Sequence, residues 1–517
     1  MNTVIIAAGM GTRLRPLTLS TPKPLIKIFG KPMIERNIEF LLEKGIKEIV
    51  IVTGYLAEQF FYLENKYPEV KLVYNHKFNE YNNIYSFYLI REYLEDSYIL
   101  DGDIYLNKNI FETNLNKSVY FSKKLNYQND EWQLILENGK IKEVQIGGKD
   151  NYIMSGISFW KKEDSKKLKE FVEEYVLSEE KKKNYYWDHI VKENIEKFNV
   201  GIYSLKENDI FEIDNLEELK NIDNSYSDED ILLEYLKEVP IFKNKKIENI
   251  NLLGGMTNKN YLITIEGRKY VLRNPGAGTK EMINRDNEAK NAQIISDLNL
   301  DAKLIYLNKA TGIKISEYIE NAETLVPETA KNNFKQTAEL LKKLHNSNIV
   351  FDNIFDSFKE MEKYERLSIK ENGKFYTEYE EVKREVFKLK DKLKNLNIDL
   401  KACHNDTVPE NFIKSNNKIY LIDWEYSGMN DPMWDLAAHS LESNFSEKEE
   451  TDFLSFYFPK GIDKNSYLRI QIHKICQDFL WSIWTILKEA KGVSFGDYGI
   501  MRFNRAKKNL KELEKYE

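Results

Sequence analysis

The residues whose types and spacing could carry chemistry most directly are His404, Asp406, Asn411 and Asp423, the last of which follows a short apolar strand predicted over 419–422. Phosphoryl transfer from a nucleotide needs a carboxylate to orient the attacking hydroxyl and further oxygen ligands to hold magnesium against the phosphates. Asp406 can orient the hydroxyl, while Asn411 and Asp423 can bind the metal. The spacing therefore predicts a phosphoryl-transfer site. The alternative is a polar turn between two strands, with His404 as a buried core histidine.

This spacing resembles the catalytic loop of kinases, and a glycine-rich segment with a predicted hairpin (strands at 261–265 and 269–273) lies upstream of it. The resemblance implies that the hairpin covers nucleotide phosphates, with Arg273 in place of the usual strand lysine and Glu288 as its ion-pair partner. Either charge could instead lie on a plain helix surface. The nucleotide-binding residues predicted in this half, including two in the link between kinase lobes, are Thr257, Asn258, Arg273, Glu288, Glu317 and Ile319.

Across roughly residues 228–517 the chain resembles the choline and ethanolamine kinase family, itself similar to aminoglycoside phosphotransferases. The motifs Gly-Gly-Met-Thr-Asn, Val-Leu-Arg and Ile-Asp-Trp-Glu-Tyr-Ser-Gly favour the choline branch. Trp481 and Trp484 lie three residues apart, on one face of a predicted helix. The resemblance implies that they form a wall for choline, with Glu442 as the counter-charge. The alternative is a buried helix that uses tryptophan for packing.

A second candidate site follows the predicted strand at 4–8. The segment contains Gly9 and Gly11, and Arg13 and Arg15 come shortly after them. Glycines let backbone amides approach a phosphate, and arginines add charge-assisted donors. A Walker loop is excluded because Gly-Lys-Ser/Thr is missing, and a dinucleotide fingerprint is excluded because Leu14 stands where a third glycine is required.

The run Ala-Ala-Gly-x-Gly-Thr-Arg-Leu-x-Pro-Leu-Thr, followed closely by Thr-Pro-Lys-Pro-Leu, resembles the signature of nucleotidyltransferases, which join a nucleoside triphosphate to a phosphorylated small molecule. The resemblance covers roughly the first 220 residues. It implies that Gly9, Gly11, Thr12 and Arg13 bind the triphosphate while Lys23 stabilises charge on the reacting phosphates. Lys23 could also be a solvated loop lysine, although the flanking prolines stiffen its backbone.

Alternating strand and helix patterns in this half predict an α/β fold with a doubly wound, Rossmann-like and mostly parallel sheet. Active sites in such sheets lie beyond the carboxyl ends of the strands. The strand predicted over 97–100 ends at Asp101 and Asp103, and the family's Gly-Asp pairing points to Asp103 as a metal ligand. A plain turn aspartate is the alternative. Asp214 is the predicted second ligand, with Glu212 as its rival.

Several short motifs resemble the phosphocholine cytidylyltransferase branch more than the sugar branch. Choline carries a quaternary ammonium that cannot donate hydrogen bonds, so aromatic faces and carboxylates must recognise it. In an aromatic-rich chain such a cluster could equally be core. The residues predicted from these motifs are Asn82, Asn83 and Ser86 for the nucleotide, and Trp132, Tyr186, Trp187 and Asp188 for phosphocholine.

Length, net charge and cysteine count limit the classes of protein to which this chain can belong. A chain of 517 residues predicts two or three domains, and the polar acidic segment 221–230 marks a boundary, giving domains 1–226 and 227–517. The net charge of −7 argues against non-specific nucleic-acid binding. With two cysteines, no signal-peptide pattern and no apolar run long enough to enter a membrane, a cytoplasmic location is expected. A homo-oligomer is possible.

The two resemblances together imply consecutive reactions: ATP phosphorylates choline, and CTP then converts phosphocholine into CDP-choline and pyrophosphate, with Mg²⁺ as cofactor. The second half is expected to be a bilobal, protein-kinase-like domain. One alternative is a sugar-1-phosphate nucleotidyltransferase fused to a sugar or aminoglycoside kinase, which the aromatic clusters disfavour. Another is a non-catalytic ligand-binding or sensor protein, which would have no physical need for the metal ligands.

Overall fold

The computed structural model describes residues 1–127, 129–178, 180–255, 258–276, 279 and 282–516. The chain forms two compact units, Met1–Lys245 and Lys246–Glu517, called unit 1 and unit 2 below. No helix in the described part of the chain is both long and apolar enough to cross a membrane.

The compact units divide later than the boundary at 226/227, which stays a prediction about domains. The helix Asp228–Glu238 lies in unit 1, and its apolar side chains, among them Leu232 and Leu236, are buried. An ion pair between Lys220 and Asp228 also ties the start of this helix to the preceding one. The acidic segment is therefore a turn between packed helices of unit 1.

Unit 1 contains both strands and helices along its whole length. Its strands are β1 (Asn2–Ala7), β2 (Lys27–Ile28), β3 (Lys31–Pro32), β4 (Ile49–Thr53), β5 (Val70–Tyr74), β6 (Ser97–Asp101), β7 (Ile104–Leu106), β8 (Ser118–Leu125), β9 (Asn129–Glu137), β10 (Lys140–Gly148), β11 (Asn151–Ile153), β12 (Ile157–Trp160), β13 (Val200–Leu205) and β14 (Ile210–Glu212). Its helices are α1 (Met33–Glu43), α2 (Tyr62–Lys66), α3 (Asn83–Ile90), α4 (Lys162–Ser178), α5 (Asp188–Glu193), α6 (Leu216–Ile222) and α7 (Asp228–Glu238).

The central sheet of unit 1 has the strand order β10-β9-β11-β8-β12-β6-β1-β4-β5, with β13 beside β8. Strands β5, β4, β1 and β6 run parallel, whereas β12 runs antiparallel to both β6 and β8. The predicted α/β fold is confirmed, but the sheet is mixed and not mostly parallel. Parallel neighbouring strands are usually joined through a helix. The chain between β6 and β12 forms further strands instead, and β12 runs antiparallel to β6.

Helices cover both faces of this sheet. Because successive strand residues point to opposite faces, Ile5 packs with Ile38 of α1 on one side, and Val4 packs with Phe87 of α3 and Leu168 of α4 on the other. Burial on both faces explains why the parallel strands are continuously apolar. The same arrangement brings the ends of β1 and β6 to one edge, where the predicted nucleotide site begins.

Unit 2 begins with strands and continues mainly with helices. Its strands are β15 (Ile247–Gly254), β16 (Lys259–Ile265), β17 (Arg268–Asn274), β18 (Leu304–Leu307), β19 (Lys314–Glu317), β20 (Glu323–Thr324), β21 (Lys401–Cys403), β22 (Phe412–Ser415), β23 (Lys418–Leu421) and β24 (Gly428–Asn430). Its helices are α8 (Arg285–Asp297), α9 (Pro327–Ala330), α10 (Phe334–His345), α11 (Ser357–Lys370), α12 (Tyr379–Lys394), α13 (Pro432–Glu442), α14 (Glu447–Tyr457), α15 (Lys464–Ala490) and α16 (Tyr498–Glu512).

The first part of unit 2 is an antiparallel sheet of order β15-β16-β17-β19-β18, with α8 inserted in the chain between β17 and β18. The second part is organised around α15, which packs against α11, α12, α13 and α16. This division into a sheet part and a helical part matches the predicted two-lobed, kinase-like domain.

Candidate active sites

The predicted phosphoryl-transfer residues of unit 2 lie together around one loop. Asn411 Nδ2 donates to the main-chain oxygen of Asp406 at 2.8 Å and to its Oδ2 at 3.2 Å. His404 Nε2 lies 2.8 Å from the carbonyl oxygen of Ile422, and its Nδ1 accepts the backbone N–H of Asp406 at 3.2 Å. The imidazole thereby joins the loop to the chain immediately before Asp423. The predicted catalytic and metal-binding residues are thus held by direct hydrogen bonds.

Asp435, a residue without a predicted role, binds the backbone of the same loop. Its carboxylate accepts the backbone N–H groups of His404 at 2.9 Å and Asn405 at 2.8 Å, and it lies 3.0 Å from His345 Nε2. Asp435 is fully buried. The sequence feature that could have indicated its role is an aspartate among the apolar residues of α13. A carboxylate at such a position is buried and therefore needs hydrogen-bond or charge partners.

Arg273 makes the predicted ion pair with Glu288, which is buried beside it. Its Nη1 also donates to Asp423 Oδ1 at 2.8 Å and lies 3.5 Å from Glu425 Oε2. Although burial raises the pKa of Asp423, the positive charges of Arg273 and Lys314 outweigh it and lower that pKa below its usual range. Asp423 is therefore an ionised carboxylate, as a metal ligand must be.

Asp406 lies in a different environment. Burial, reinforced by the negative charges of Asp423 and Glu425, raises its pKa to about 8. Crowded carboxylates of this kind favour any positive charge that enters the site, because it relieves their repulsion. Asp406, Asn411 and Asp423 therefore fit a bound divalent cation chemically.

These residues line a cavity of about 990 Å³. Predicted nucleotide contacts on its lining are Asn258, Arg273, Glu317 and Ile319. Thr257 lies outside the described residues, and Glu288 lies behind Arg273 with 2% of its surface exposed. The cavity is large enough for a nucleotide and a small second substrate, within the range of ligand pockets.

The aromatic wall of this cavity is formed by Trp481 and Trp484, whose rings meet edge to face with centroids 6.2 Å apart. Three aromatic residues that the sequence did not single out extend the lining: Tyr426, Phe495 and Tyr498. The Tyr426 ring is 5.6 Å from Trp481, and the Phe495 ring is 4.9 Å from Trp484. Tyr426 belongs to the Ile-Asp-Trp-Glu-Tyr-Ser-Gly motif but was given no role there, and Phe495 and Tyr498 lie outside the motifs.

Glu442 lines the same cavity, as the predicted counter-charge should, but it is not a free carboxylate. Its Oε1 is paired with Arg502 Nη1, and Arg502 is 2% exposed. The counter-charge is therefore partly neutralised before any ligand enters.

In unit 1, Lys23 is the centre of the predicted site. Its Nζ lies 2.6 Å from Asp103 Oδ2 and 2.9 Å from Asp214 Oδ1, and Arg13 Nη1 lies 2.8 Å from Asp214 Oδ2. Burial lowers the pKa of Lys23, but the two aspartates outweigh it and the pKa is raised. Lys23 is thus a buried, charged lysine and not a solvated loop residue.

The glycine-rich loop is shaped around this lysine. Gly11 has a left-handed backbone (φ +56°), and a Cβ there would lie 3.0 Å from Lys23 Cβ and 3.1 Å from Thr18 Cγ2. Gly9 has open space around it, while Thr12 and Arg13 are exposed in the turn that follows. A side chain at position 11 would strain the backbone and displace the lysine.

Three carboxylates meet at the same place: Asp103, Asp214 and Glu212 have ligand atoms within 4.8 Å of one another. Both the predicted second ligand and its rival belong to this group. Although Glu212 is exposed on one side, desolvation of its carboxyl group and the charges of Asp103 and Asp214 raise its pKa to about 8. The donor set is all oxygen and strongly negative, which fits a hard divalent cation.

The predicted phosphocholine cluster is only partly present. Trp132 and Tyr186 lie edge to face, 6.4 Å apart, and His189, which the sequence did not single out, lies 4.7 Å from the Trp132 ring. Asp188 accepts the Tyr120 hydroxyl at 2.8 Å, and burial raises the pKa of its carboxyl to about 7. Trp132, Tyr186 and Asp188 are at least partly accessible, whereas Tyr120 is buried.

The placement of Trp187 in that cluster is corrected by the structure. Its ring is 3% exposed and stacks on Phe87 with centroids 4.9 Å apart, beside Tyr120 and Trp160. Trp187 is a core residue because its side chain points to the opposite side of the chain from Tyr186, into the apolar face of the sheet.

The predicted nucleotide residues on α3 have structural partners. Asn82 caps the helix by accepting the Asn83 N–H at 2.8 Å, and Asn83 Oδ1 accepts the N–H of Trp187 at 2.8 Å. Ser86 is buried and accepts from Asn75 Nδ2 at 2.9 Å, which corrects its assignment as a nucleotide contact. The motif therefore fastens α3 to the segment that carries the aromatic cluster.

Comparison with known proteins decides the family. Residues 249–507 match the family described as choline/ethanolamine kinase, and residues 2–130 match the family described as nucleotidyl transferase. The chain belongs to the choline/ethanolamine kinase family, with a nucleotidyl transferase as its first unit. The choline/ethanolamine kinase match alone spans about half of the chain.

Each unit has a named relative that is matched over nearly the whole length of that relative. A choline-phosphate cytidylyltransferase of Streptococcus pneumoniae is 43% identical over 224 residues, which is 43% of this chain and 97% of the relative. Protein LicA of Haemophilus influenzae is 36% identical over 281 residues, which is 50% of this chain and 100% of the relative. A crystal structure of LicA in complex with AMP has 41% identity and a TM-score of 0.50, covering 56% of this chain and 100% of that chain.

Proposed function

We propose that this choline/ethanolamine kinase family member is a bifunctional enzyme. Unit 2 phosphorylates choline with ATP, and unit 1 transfers CMP from CTP to phosphocholine, giving CDP-choline and pyrophosphate. The observation that carries the proposal is the cavity of unit 2, in which the Asp406 loop and the aromatic wall face one space. The match of unit 2 to the choline/ethanolamine kinase family and the choline-phosphate cytidylyltransferase related to unit 1 support the pairing of the two reactions.

In unit 2, Asp406 accepts the hydrogen of the choline hydroxyl and orients its oxygen towards the γ-phosphate of ATP. Asn411 and Asp423 would hold Mg²⁺, which would neutralise charge on the phosphates when bound. Arg273 keeps Asp423 ionised and in place. The AMP bound to the related LicA structure supports an adenine nucleotide as the donor.

In unit 1, the oxygen of phosphocholine attacks the α-phosphate of CTP, and pyrophosphate leaves. Lys23 and Arg13 donate to the phosphate oxygens, where charge develops in the transition state. Asp103, Asp214 and Glu212 would hold the divalent cation. Trp132, Tyr186 and Asp188 face the quaternary ammonium. The proposal includes magnesium as the metal in both units and CTP as the nucleotide substrate of unit 1.

The two alternatives from the sequence predict different linings. A sugar kinase needs many hydrogen-bonding side chains to recognise hydroxyl groups. In this cavity Trp481 and Trp484 form an aromatic wall, and Phe495 and Tyr498 extend the aromatic lining. A sensor that only binds ligand has no need for the hydrogen bonds that orient Asp406 and Asn411. The cytoplasmic location and the homo-oligomer stay predictions from the sequence.

The test is to assay the two half-reactions separately with the full chain. Choline with ATP and magnesium should give phosphocholine and ADP, and supplied phosphocholine with CTP and magnesium should give CDP-choline and pyrophosphate. Glucose 1-phosphate and an aminoglycoside serve as comparison substrates. Faster turnover of either comparison substrate would support the sugar-directed alternative, and binding without any product would support the sensor.

A further inference from the structure

Four charged side chains of unit 2 contact one another with alternating sign: Glu442, Arg502, Asp478 and Arg505. Arg502 Nη1 pairs with Glu442 Oε1, and Arg502 Nε lies 3.2 Å from Asp478 Oδ1. Arg505 binds the same aspartate through Nε at 2.8 Å and Nη2 at 2.7 Å. Of these four residues, Glu442 lines the cavity. The other three form a support behind it.

The position of Glu442 explains why it needs support. It is the last residue of α13, and the carboxyl end of a helix carries a partial negative charge that disfavours a neighbouring carboxylate. Arg502 offsets this with a buried positive charge on another helix, α16. The orientation of Glu442 in the cavity therefore depends on Arg502.

Arg502 also holds a second cavity residue, Tyr498. Its Nη1 donates to the Tyr498 hydroxyl at 2.8 Å, and its guanidinium carbon lies 5.2 Å from the centre of the ring. The two residues are one helical turn apart on α16, where side chains are neighbours. A single guanidinium thus fixes one residue from α13 and one from α16 on the same cavity.

We propose that Arg502 is a positioning residue that sets the preference for a quaternary over a primary ammonium substrate. It fixes Glu442 and Tyr498 as one side of the choline subsite and neutralises part of the Glu442 charge. A primary ammonium has three N–H donors that would pair with a free carboxylate, whereas a quaternary ammonium depends on aromatic faces. A restrained, partly neutralised Glu442 therefore favours choline. This inference rests on the proposed choline kinase activity of unit 2.

The test is Arg502→Met in the full chain, which keeps most of the apolar stem and removes the charge. The KM for choline should rise about tenfold, the order expected when one charge-assisted contact is lost. The KM for ethanolamine should rise less or fall, so the ratio of kcat/KM for choline to that for ethanolamine should drop. The KM for ATP and the cytidylyltransferase rate should stay unchanged.

Arg505→Met is the matched control, because it removes an arginine from Asp478 but leaves the Arg502–Glu442 pair intact. It should leave the ratio of choline to ethanolamine unchanged. In the Glu442→Gln background, Arg502→Met should change the ratio of choline to ethanolamine less than it does in the wild type, since Arg502 acts partly through Glu442 and the effects of contacting residues are not additive. Arg502→Lys should give an intermediate ratio.

An unchanged ratio in Arg502→Met would overturn the inference, as would equal shifts in Arg502→Met and Arg505→Met. If Arg502→Met fails to fold, Arg502→Lys and Glu442→Gln carry the test, and an unchanged ratio in both overturns it. A wild-type protein that phosphorylates neither amine would instead contradict the proposed function.

Discussion

Lys23 Nζ lies 2.6 Å from Asp103 Oδ2, although the two residues are 80 positions apart in the chain. The contact joins the loop after β1 to the end of β6, two strands that are parallel neighbours in the sheet. A buried lysine held between Asp103 and Asp214 fits the proposed site, in which Lys23 binds nucleotide phosphates beside a metal ion. This single contact connects the glycine-rich loop with the carboxylate cluster.

Replacing Lys23 by Ala should stop the overall reaction at phosphocholine. Loss of one charge stabiliser for a transferring phosphoryl group typically lowers the rate by about 10²-fold or more. CDP-choline formation from supplied phosphocholine and CTP measures this step. Lys142→Ala, which alters an exposed ion pair with Glu137, is the control and should retain full activity. Normal CDP-choline formation by Lys23→Ala would place the nucleotidyl site elsewhere.

Asp406→Asn should abolish phosphorylation of choline while leaving the conversion of supplied phosphocholine nearly intact. The amide cannot accept the hydrogen of the hydroxyl as the carboxylate does, and general-base groups contribute about 10² to 10⁴ in rate. ADP release in the presence of choline measures the first activity and pyrophosphate release the second. Asp399→Asn, at an exposed position in the same unit, is the control. Loss of both activities in a folded protein would contradict the independence of the two units.

Trp481→Leu or Trp484→Leu should raise the KM for choline by about tenfold or more, because a desolvated cation over an aromatic ring gains about 2 kcal/mol. Leucine keeps apolar bulk but removes the ring. The KM for ATP should hardly change, and ethanolamine should lose less than choline. Parallel changes in both constants, or reduced stability with unchanged choline binding, would instead identify the tryptophans as packing residues.

Trp187 and Tyr186 are neighbours in the chain, but replacing each by alanine should have different effects on stability and on phosphocholine binding. Trp187→Ala should lower the free energy of unfolding by about 3–5 kcal/mol, as expected for a large buried aromatic side chain. Tyr186→Ala, at a side chain that is 48% exposed, should leave stability within about 0.5 kcal/mol and raise the KM for phosphocholine. Thermal unfolding and phosphocholine kinetics of the two variants measure this. Similar stability losses in both would contradict the assignment.

Much of the fold follows from local patterns that the sequence shows directly. The strand predicted over 97–100 is β6, and the predicted hairpin and the pair of Arg273 with Glu288 are present. These predictions succeed because apolar periodicity and motif spacing are local. The antiparallel β12 was missed because strand pairing depends on distant parts of the chain.

Where a motif carries the chemistry, the sequence predicted which residues lie together, as for Lys23 with Asp103 and Asp406 with Asn411, while their roles stay predictions. Periodicity could not distinguish the buried Trp187 from the exposed Tyr186, because both are aromatic and the side that each faces is set by tertiary packing. Arg502 was missed because its partner Glu442 is 60 positions away. Long-range charge pairs of this kind leave no local pattern.

The most direct test of the account is a single incubation of the full chain with choline, ATP, CTP and magnesium, followed by ³¹P NMR. We predict that phosphocholine appears first and is then consumed, while CDP-choline and pyrophosphate accumulate, with no CDP-choline when ATP is left out. Phosphocholine that accumulates without CDP-choline, or no phosphorylated choline at all, would contradict the proposal that one chain catalyses both reactions.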